Sequence, residues 1–519
     1  MEYSQVVRQS FLIRSFKGSN PFIPIKFFRM IENLLFYPSL MPILGIIFIL
    51  ILKEKTGKKL KQIALFFSFA PLPCYLLLWG VFKKSLGSFQ FTSTIFWLPS
   101  LNINITLGVD GISIFFILLT VLLIPLCLLS SWNMDSAENN INHYFIAFLF
   151  IEFLLINTFI LLDIFFFYIF FESLLIPMFL VIGIWGSRER KVLASYYFFL
   201  YTLFGSVLML ISIMYIFYQA GTTDYETLLC FNFSFIEQKI LWLTFFFAFA
   251  AKVPMMPVHL WLPEAHVEAP TAGSIILAGI LLKLGTYGFI RFSLPLFPKA
   301  SFYFSPLVYT ISLIGIIYAS FTAIRQTDIK RIIAYTSVAH MNVVMLGIFS
   351  FNVIGLEGAI IQSLSHGFVA SALFAIIGVV YERYKTRLVK YYGGLTQTMP
   401  LYASVFLFFT MANIGFPGTS NFIGEFLILT GSFKVSSSVT FFGATGVVLG
   451  GCYALWLLNR IVFGNLKVQY IPYTLDLNKR EIAIFFPLII YTLILGIIPN
   501  SCLSTIHMSV NNLTEHLYF

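Results

Sequence analysis

Six ionisable residues lie in the middle of segments that are otherwise apolar, and their types alternate between acid, base and imidazole. They are Glu172, Lys252, Lys283, His340, His366 and Glu425. A charged side chain at the centre of a bilayer costs about 2.5 to 3.5 kcal/mol on insertion scales, so it is normally kept for a task and given a partner. Any one of these groups alone is equally well explained by a buried interhelical hydrogen bond. Together, at similar depth on successive segments, they are the ingredients of a proton relay.

Two of the segments are also interrupted beside these groups. Proline lacks an N–H and clashes with the carbonyl four residues back, so the segments next to Lys252 and Glu425 must open. Carbonyl groups freed at bilayer depth are tolerated only inside protein or against a water-filled cavity. The residues predicted to shape the two breaks are Pro254, Pro257, Gly415 and Pro417. Two further histidines, His259 and His266, are expected either to tune the first break or an entrance, or to be structural.

The elements that must position these residues are transmembrane helices. Of the 519 residues, 59% are hydrophobic and 10% are charged, whereas soluble domains carry roughly 25% charged residues, so a soluble fold is excluded. A spanning helix needs about 20 apolar residues, and the chain contains about 14 such stretches. The sequence therefore predicts an all-α polytopic membrane protein. Its helices 1 to 14 are expected near 36–53, 62–82, 110–131, 142–161, 163–185, 195–218, 239–262, 270–291, 304–324, 329–350, 356–380, 401–433, 438–461 and 482–502.

Broken helices in corresponding positions of two halves indicate an inverted repeat with the ion path at its interface. Here helices 4–8 and helices 9–13 would form the two halves, with helices 7 and 12 broken. The predicted regions are a basic N-terminal extension at 1–35, helices 1–3 with their loops at 36–141, the first half at 142–291, the second half at 304–461, and a loop, helix 14 and a C-terminal tail at 462–519.

Positive charge is distributed unevenly between the two sets of loops. The loops after helices 1, 5, 9, 11 and 13 hold 19 of the 32 Lys and Arg residues, with Lys330 counted among them, and the opposite loops hold six. Cytoplasmic or matrix-side loops collect such charge. The net charge of +10 therefore reports topology, and nothing in it suggests nucleic acid as a partner.

Other residues are predicted to be structural. The N-terminal extension departs from the charge pattern, and it is either a transit segment or, as we prefer, an arm that packs on a neighbouring subunit or on lipid headgroups. Asp110 and Asp328, at helix starts, are expected to be caps or anchors, and Glu152 in helix 4 is expected to be an interhelical contact. The five cysteines show no CxxC spacing, so neither a disulfide framework nor a metal site is predicted.

Five blocks, in order and at the expected helix positions, resemble the chain 4 family of NADH:ubiquinone oxidoreductase, respiratory complex I. The blocks are LGVDGISIFF (107–116), KVPMMPVHLWLPEAHVEAPTAGS (252–274), LAGILLKLGTYG (277–288), TDIKRIIAYTSVAHM (327–341) and IGEFLIL (423–429). Chains 2 and 5 of that complex and Mrp-type antiporter subunits share this antiporter-like fold, but chains 2 and 5 have a lysine where this sequence has Glu425. The sequence departs from the family pattern at Phe171, where Trp is common, and at Thr336, Ala339 and Asn342, which replace Ser, Ser and Gly.

The resemblance implies a mechanism for the ionisable residues. Glu172 would form an ion pair with Lys252, and this pair would decide whether Lys252 keeps its proton. Burial disfavours the charged form of a lysine and a nearby carboxylate favours it, so moving Glu172 away would release the proton. The proton would then pass through water and a relay made, in order, of His340, Lys283, His366 and Glu425.

The resemblance also implies partners and a location. Because the chain has no Gly-rich dinucleotide loop and no iron–sulfur cysteine spacing, it is expected to bind no cofactor, with FMN, iron–sulfur clusters and ubiquinone in partner subunits. The expected partners are neighbours of the chain 2 and chain 5 type, other membrane-arm and accessory subunits, the peripheral NADH-oxidising arm and membrane phospholipids. The expected location is the mitochondrial inner membrane, crossed many times with the positive loops facing the matrix; a bacterial plasma membrane is the less favoured alternative.

Two other functions remain compatible with these residues. A Mrp-type sodium/proton antiporter subunit would carry the same lysines and glutamates, but it would not co-purify with an NADH-oxidising arm. A structural scaffold would use its buried charges only to fix helix register. For a scaffold, neutralising Lys252 would change stability and leave the number of protons moved per electron unchanged.

Overall fold

The computed structural model describes residues 35–52, 57–99, 102–133, 141–467, 469–470 and 475–518. Within these residues, 11 helices are long and apolar enough to cross a membrane, and two shorter apolar helices span Phe36–Ile51 and Pro400–Ile414. Every predicted segment overlaps a helix, so the polytopic helical fold is confirmed. The predicted N-terminal extension at 1–35 lies outside the described residues, apart from Leu35.

The elements before the first break carry the labels used below. The N-terminal part forms α1 (Phe36–Leu52), α2 (Gly57–Phe69), α3 (Pro71–Val81), β1 (Gln90–Leu98), β2 (Ile103–Val109) and α4 (Ser113–Ser130). It is followed by α5 (Ile141–Ile160), α6 (Ile164–Ser173), α7 (Leu175–Trp185), α8 (Lys191–Ala220), α9 (Tyr225–Leu228) and α10 (Phe235–Lys252).

After the first break, helix 8 alternates between α- and π-helix. The helix before it is α11 (Trp261–Glu268). Helix 8 itself consists of α12 (Thr271–Ile276), the π-helix Leu277–Leu281, α13 (Leu282–Gly288), the π-helix Phe289–Ser293 and α14 (Leu294–Leu296). The remaining elements are α15 (Pro298–Arg325), α16 (Ile329–Ile348), α17 (Val353–Tyr384), a 3-10 turn (Val389–Tyr391), α18 (Leu395–Thr398), α19 (Pro400–Ile414), α20 (Ser420–Phe433), α21 (Ser437–Val462), α22 (Lys479–Ile497) and α23 (Asn500–Tyr518).

Two elements differ from the sequence expectation. Strands β1 and β2 form an antiparallel hairpin, with Ile95 opposite Ile105, where only loops were expected. The chain after α22 forms a second helix, α23, whereas the sequence predicted one helix to residue 502 and a tail. In α23 the buried residues recur every three or four positions, which is the pattern of a helix with one apolar face; they include Cys502, Ile506 and Val510.

The helices that carry Lys283 and His366 form the centre of the molecule. The most apolar windows of Thr271–Leu296 and Val353–Tyr384 are 100% buried, against 33% for Ser437–Val462. Spanning helices at the periphery face lipid, whereas charged groups in a membrane protein are placed in the interior of the bundle. The fold therefore puts these two side chains at the interior positions that ionisable residues need.

Aspartates begin several of the helices. Asp110 Oδ1 accepts a hydrogen bond from Ser113 N at 2.8 Å, and Asp328 Oδ1 accepts one from Lys330 N at 3.0 Å. Such side chains satisfy N–H groups that have no partner within the first turn of a helix. The predicted role as a cap is confirmed for Asp328, which is the N-cap of α16. Asp110 lies before Ile112, the N-cap of α4, and acts as an anchor through its contacts with Ser113 N and Arg291.

Glu152 does not make the contact predicted for it. It lies on α5, it is 0% exposed, and neither carboxylate oxygen has a hydrogen-bond partner among the described residues. An interhelical hydrogen bond therefore does not explain why an acid is buried at this position.

Candidate functional site

The first helix break follows Lys252, as the two prolines predict. Helix α10 ends at Lys252 and α11 begins at Trp261. Backbone carbonyls near the break find other donors: Met255 N donates to Ala250 O at 2.8 Å, and Trp261 Nε1 donates to Ala251 O at 2.8 Å. The break is thus sealed inside the protein, which is the condition for open backbone at membrane depth.

Asn342 also closes this break, although the family pattern has a glycine at its position. Its Nδ2 donates to Pro254 O at 3.4 Å and to Val338 O at 2.8 Å. Gly315 on α15 gives the amide room, because a Cβ at Gly315 would lie 2.7 Å from Asn342 Cγ. The departure at Asn342 therefore supports the break.

The ammonium of Lys252 is held by helix 5. Lys252 is 4% exposed, and its Nζ donates to Phe171 O at 2.8 Å while lying 3.3 Å from the centre of the Phe171 ring. Helix 5 is interrupted at Leu174, between α6 and α7, and Pro177 cannot donate to the carbonyl of Ser173. Because an aromatic face attracts a cation, Phe171 provides here what the more usual Trp would provide.

Glu172 does not form the predicted ion pair with Lys252 in this structure. Among the described residues it makes no salt bridge within 4.0 Å, and its Oε1 has no hydrogen-bond partner. Its charge still acts on Lys252, and the Ser206 hydroxyl on α8 lies beside its carboxylate. Lys252 thus bonds to the residue next to Glu172 instead of to Glu172 itself.

Lys283 lies at the junction between a π-helix and α13. It is 0% exposed, and its Nζ donates to Ala278 O, in the π-helical turn, and lies 2.8 Å from His366 Nδ1. A π-helical turn is wider than an α-helical one and occurs mostly at functional sites. These two contacts fix the direction in which the amine of Lys283 points.

The helices of Lys283 and His366 meet through small residues. A Cβ at Gly279 would lie 2.6 Å from Ser371 Oγ, and a Cβ at Gly367 would lie 3.1 Å from Gly279 O. Such residues let two helix backbones approach closely in a membrane. This close approach is what brings His366 within hydrogen-bond distance of Lys283.

Two more contacts extend the site from His366 to the second broken helix. The rings of His366 and His340 are 5.8 Å apart, centre to centre. His340 Nδ1 lies 3.0 Å from Glu425 Oε1, and all three side chains are at least nine-tenths buried. His340 therefore lies between His366 and Glu425, whereas the sequence order placed it between Lys252 and Lys283.

Polar neighbours of Glu425 were missed at the sequence level. Gln362 Nε2 donates to Glu425 Oε1 at 3.1 Å. Asn421, one turn before Glu425, and Ser420 are 0% exposed, and their side-chain amide and hydroxyl have no hydrogen-bond partner among the described residues. Gln362 could have been found from its spacing, because it lies four residues before His366 and so shares a helix face with it. Gln362, Asn421 and Ser420 were missed because they carry no charge.

The second break is made by Gly415. Helix α19 ends at Ile414, α20 begins at Ser420, and Gly415 adopts φ +79°, which side-chain-bearing residues rarely do. A Cβ at Gly415 would lie 2.9 Å from Glu425 Oε2. Gly415 therefore turns the chain and leaves space for the carboxylate.

We expect Gly415→Ala and Gly418→Ala to have the same cost in stability and different effects on Glu425. Both positions have positive φ, so each Ala should lower the free energy of unfolding by about 1 to 2 kcal/mol. Nothing lies within 4 Å of a Cβ at Gly418, so only Gly415→Ala should displace the carboxylate from His340. Thermal unfolding and a high-resolution structure of each variant would check this. An unmoved Glu425 in Gly415→Ala would contradict it.

Of the two remaining predicted histidines, His259 lies just before α11 and His266 lies within it. His259 is buried at the break, with its ring 6.2 Å from the ring of Tyr318. His266 is 0% exposed and stacks on Phe374 at 4.5 Å, and neither of its ring nitrogens has a hydrogen-bond partner in the described part of the chain. Neither histidine contacts the line of residues from Lys283 to Glu425 directly.

The described residues contain no group of three or more His, Cys, Asp or Glu side chains that could hold a metal ion. The titratable groups instead form two clusters. One is Lys252 with Glu172, at the end of α10; the other runs from Lys283 to Glu425. The second contains two pairs of proton donors and acceptors at hydrogen-bond distance, Lys283 with His366 and His340 with Glu425.

Comparison of the sequence with known families and proteins identifies relatives. The profile of the family described as NADH:quinone oxidoreductase/Mrp antiporter, TM, matches residues 162–450. The chain is 54% identical over 483 residues to NADH-ubiquinone oxidoreductase chain 4 of Chondrus crispus, covering 93% of this chain and 98% of the relative. It is 45% identical over 504 residues to NADH-quinone oxidoreductase subunit M of Rhodobacter capsulatus, covering 94% and 97%.

Solved structures share the fold. A chain of respiratory complex I from Thermus thermophilus with bound NADH matches with a TM-score of 0.84 and 26% identity, over 94% of this chain and 99% of that one. A chain of the Mrp complex from a Dietzia species matches with a TM-score of 0.82 over 94% and 98%, but at 19% identity, which shows a shared fold alone. The resemblance of the five sequence blocks is thus confirmed, and the chain belongs to the chain 4 family of NADH-ubiquinone oxidoreductase.

Proposed function

We propose that this chain is a proton-translocating membrane-arm subunit of NADH:ubiquinone oxidoreductase. Electron transfer from NADH to quinone, in partner subunits, would drive protons through the buried Glu, Lys and His side chains of this chain. Membership of the chain 4 family supports the proposal at the level of the enzyme complex. The proposed location is the inner membrane of mitochondria, and the distribution of Lys and Arg supports an orientation with the positive loops facing the matrix.

One observation carries the proposal: a line of buried side chains on four helices connects a lysine to a glutamate. Lys283 Nζ lies 2.8 Å from His366 Nδ1, and His340 Nδ1 lies 3.0 Å from Glu425 Oε1. Imidazole can take up a proton on one nitrogen and release one from the other. The 5.8 Å between the two rings is the step that a ring rotation or a water molecule must bridge.

Lys252 and Glu172 would act as the switch. Because Lys252 bonds to the carbonyl of Phe171, the neighbouring carboxylate of Glu172 has only to rotate to reach the ammonium. Two unit charges 4 Å apart attract by about 4 kcal/mol at an effective dielectric constant of 20, and moving one charge against 100 mV costs about 2.3 kcal/mol. Closing this contact would hold the proton on Lys252, and opening it would release the proton towards Lys283.

The proposal assigns redox chemistry to partners. FMN, iron–sulfur clusters and ubiquinone would be held by other subunits, and the neighbours of this chain would be of the chain 2 and chain 5 type. Accessory subunits and phospholipids would cover the remaining surface. The two inverted halves at 142–291 and 304–461 would place the two breaks on opposite sides of the proton path.

The main alternative is a Mrp-type sodium/proton antiporter subunit. Sequence identity favours the complex I assignment. The chain is 45% to 54% identical, over nearly its whole length, to relatives named as subunits of NADH oxidoreductases, whereas it shares only the fold with the chain of the Mrp complex. Glu425 also stands where chains 2 and 5 are expected to have a lysine. A pure scaffold would need only buried pairs, whereas here two such pairs lie end to end, with 5.8 Å between the rings of His366 and His340.

We expect Lys252→Met to lower NADH-driven proton transfer in sealed inner-membrane vesicles and to leave sodium/proton exchange without NADH unchanged. The side chain keeps its apolar stem and loses the group that carries the proton. A matched control is Lys239→Met, at the other end of α10, where the ammonium lies over the rings of Phe235 and Tyr303. Loss of sodium/proton exchange with unchanged NADH turnover would make the chain an antiporter subunit.

A further inference from the structure

An apolar crevice of about 90 Å³ lies between α3, α4, α17 and α22. Its lining residues include Leu119 and Leu364, which are buried, and Leu76 and Ile494, which are exposed. The crevice therefore leads from the interior of the bundle to its lipid-facing surface. A cavity with apolar walls stays dry and suits an apolar ligand, because ordered water needs several polar partners.

A hydrogen-bond donor without a partner lies at one end of the crevice. Trp79 lines this end, with its ring 5.9 Å from the ring of Phe115. Its Nε1 is buried and has no hydrogen-bond partner among the described residues. Because a buried indole N–H normally has an acceptor, a ligand with an oxygen atom at this end of the crevice would satisfy it.

A cation lies at the same end. Lys84 follows α3, and its Nζ donates to Ser504 Oγ at 3.3 Å, one turn of α23 beyond Ser501, which lines the crevice. An ammonium has three N–H donors, and this bond uses one of them. Lys84 also lies on the face opposite the Lys- and Arg-rich loops, so the rule that places positive charge in those loops does not account for it. A phosphate is the anion that such a lysine commonly binds.

Helix α23 places this end of the crevice at the membrane surface. Its buried face includes Cys502, Ile506 and Val510, and its exposed face includes the polar residues His507 and Asn512. A helix with one apolar and one polar face lies where apolar and aqueous surroundings meet. The polar end of the crevice is therefore at the depth of the lipid headgroups, and its apolar end is at the depth of the acyl chains.

We propose that the crevice binds one phospholipid from the leaflet on the side of α23. One acyl chain fills the crevice, an ester carbonyl accepts the N–H of Trp79, and the phosphate pairs with Lys84. Along α3 the crevice extends from Leu72 to Trp79, which is about 10 Å of the roughly 15 Å that one leaflet of hydrocarbon measures. The inference deepens the proposed function and rests on it, since it assigns a site to one of the lipid partners.

The bound chain would touch the packing that holds the relay together. Leu119 lines the crevice, and a Cβ at Gly367 would lie 2.8 Å from Leu119 Cδ2 and 3.1 Å from Gly279 O. The close approach of Gly367 and Gly279 is what brings His366 to Lys283. An acyl chain on the far side of Leu119 would therefore keep these two helices together.

The test is photolabelling of the intact complex by a phospholipid with a diazirine on one acyl chain, followed by mass spectrometry of the labelled peptides. We expect label on the peptides that contain Leu119 and Leu364. Leu76→Trp places a ring system in the crevice, and the label should fall about tenfold, because each displaced methylene weakens binding roughly fourfold. The matched control is Leu77→Trp, at the next residue, which is 65% exposed and does not line the crevice. It should keep the native label.

Variants of Lys84 test the headgroup. Lys84→Gln removes the charge, so the label from the phospholipid should fall about two- to fivefold, as for the loss of an exposed ion pair. Lys84→Arg should restore it. A diazirine-bearing fatty acid methyl ester has the chain and lacks the phosphate, so it should label the native complex weakly and should not respond to Lys84→Gln.

Three results would overturn the site. The first is a native complex without label on the crevice peptides, as expected if a helix of a partner subunit covers this face. The second is equal label in Leu76→Trp and Leu77→Trp. The third is equal labelling by the methyl ester and the phospholipid, which would mean that the crevice takes up any apolar chain.

Labelling needs no electron transfer, so its failure leaves the proposed function standing. The rate of NADH-driven proton transfer in sealed vesicles is measured for the same variants, and in Leu76→Trp we expect it to fall together with the label. Loss of label at the native rate would contradict the support of the relay through Leu119. If the native complex is labelled as expected while Lys283→Met transfers protons at the native rate, the proposed function fails and the lipid site stands.

Discussion

Glu425→Gln is expected to lower NADH-driven proton transfer about tenfold or more, because loss of a group that accepts or donates a proton commonly costs two to four orders of magnitude. The amide keeps the size of the side chain. Its oxygen can still accept from Gln362, as Glu425 Oε1 does at 3.1 Å. The amide nitrogen can occupy the position of Oε2 beside Gly415. The fold should therefore survive while the end of the relay is lost, and coupled NADH oxidation in sealed vesicles measures that loss.

Glu152→Gln is the matched control for this variant. Glu152 is at least as buried as Glu425, but it lies on α5, and neither of its carboxylate oxygens has a hydrogen-bond partner among the described residues. Removing its carboxylate should leave coupled NADH oxidation within about twofold of the native rate, as expected for a change that adds or removes no proton-transfer step. Equal losses in the two variants would mean that any buried acid matters for folding, and the specific role of Glu425 would be contradicted.

The second large effect is on stability, at Arg291. Its Nη2 lies 2.6 Å from Asp110 Oδ1, and both side chains are 5% exposed. Arg291 Nε donates to Tyr287 OH at 3.2 Å, and its guanidinium lies 4.9 Å from the Phe89 ring. Arg291→Met would leave Asp110 buried without its partner, so the free energy of unfolding should fall by about 3 to 5 kcal/mol. The denaturation midpoint of the detergent-solubilised complex measures this fall.

Two comparisons isolate the cause. Arg331→Met removes the pair with Glu264 at 2.7 Å, in which both side chains are 32% exposed, and a pair open to solvent contributes about 0 to 1 kcal/mol. Adding Asp110→Asn to Arg291→Met should recover part of the loss, since the uncompensated charge is then gone. If Arg291→Met and Arg331→Met unfold at the same midpoint, the buried pair does not stabilise the fold.

The sequence predicted the helices and the breaks because each has a strong local cause. Runs of about 20 apolar residues have few alternatives to a spanning helix, and proline or glycine at 254, 257 and 415 acts on its own turn of the chain. For the same reason the residue pattern alone is enough to place the ends of α10 and α19 beside Lys252 and Glu425.

What the sequence could not predict depends on contacts between distant segments. Lys252 reaches the carbonyl of Phe171 and not the side chain of Glu172, and only the packing of helix 5 against α10 decides between them. The π-helical turns around Lys283 come from the same kind of tertiary adjustment. The apolar runs of the sequence therefore identified the ionisable residues that are buried, and the fold decided which of them touch.

Lys330 illustrates a second limit. Its place next to Asp328 and Arg331 made it a loop residue by the positive-inside rule. In the fold it turns inward, because Ala269 O and Ser274 Oγ offer it acceptors at the junction of α11 and α12. A count of Lys and Arg residues per loop is correct on average, but it cannot show that one of the counted residues, Lys330, is buried inside the protein.

The measurement that tests the central claim most directly is the number of protons moved per NADH oxidised, with a pH-indicating dye in sealed vesicles, for the native complex, Glu425→Gln and Glu152→Gln. The account predicts that proton transfer falls in Glu425→Gln, in rate, in protons per NADH or in both, and that Glu152→Gln matches the native complex. Native rate and native stoichiometry in Glu425→Gln would contradict the claim that the line from Lys283 to Glu425 carries the protons.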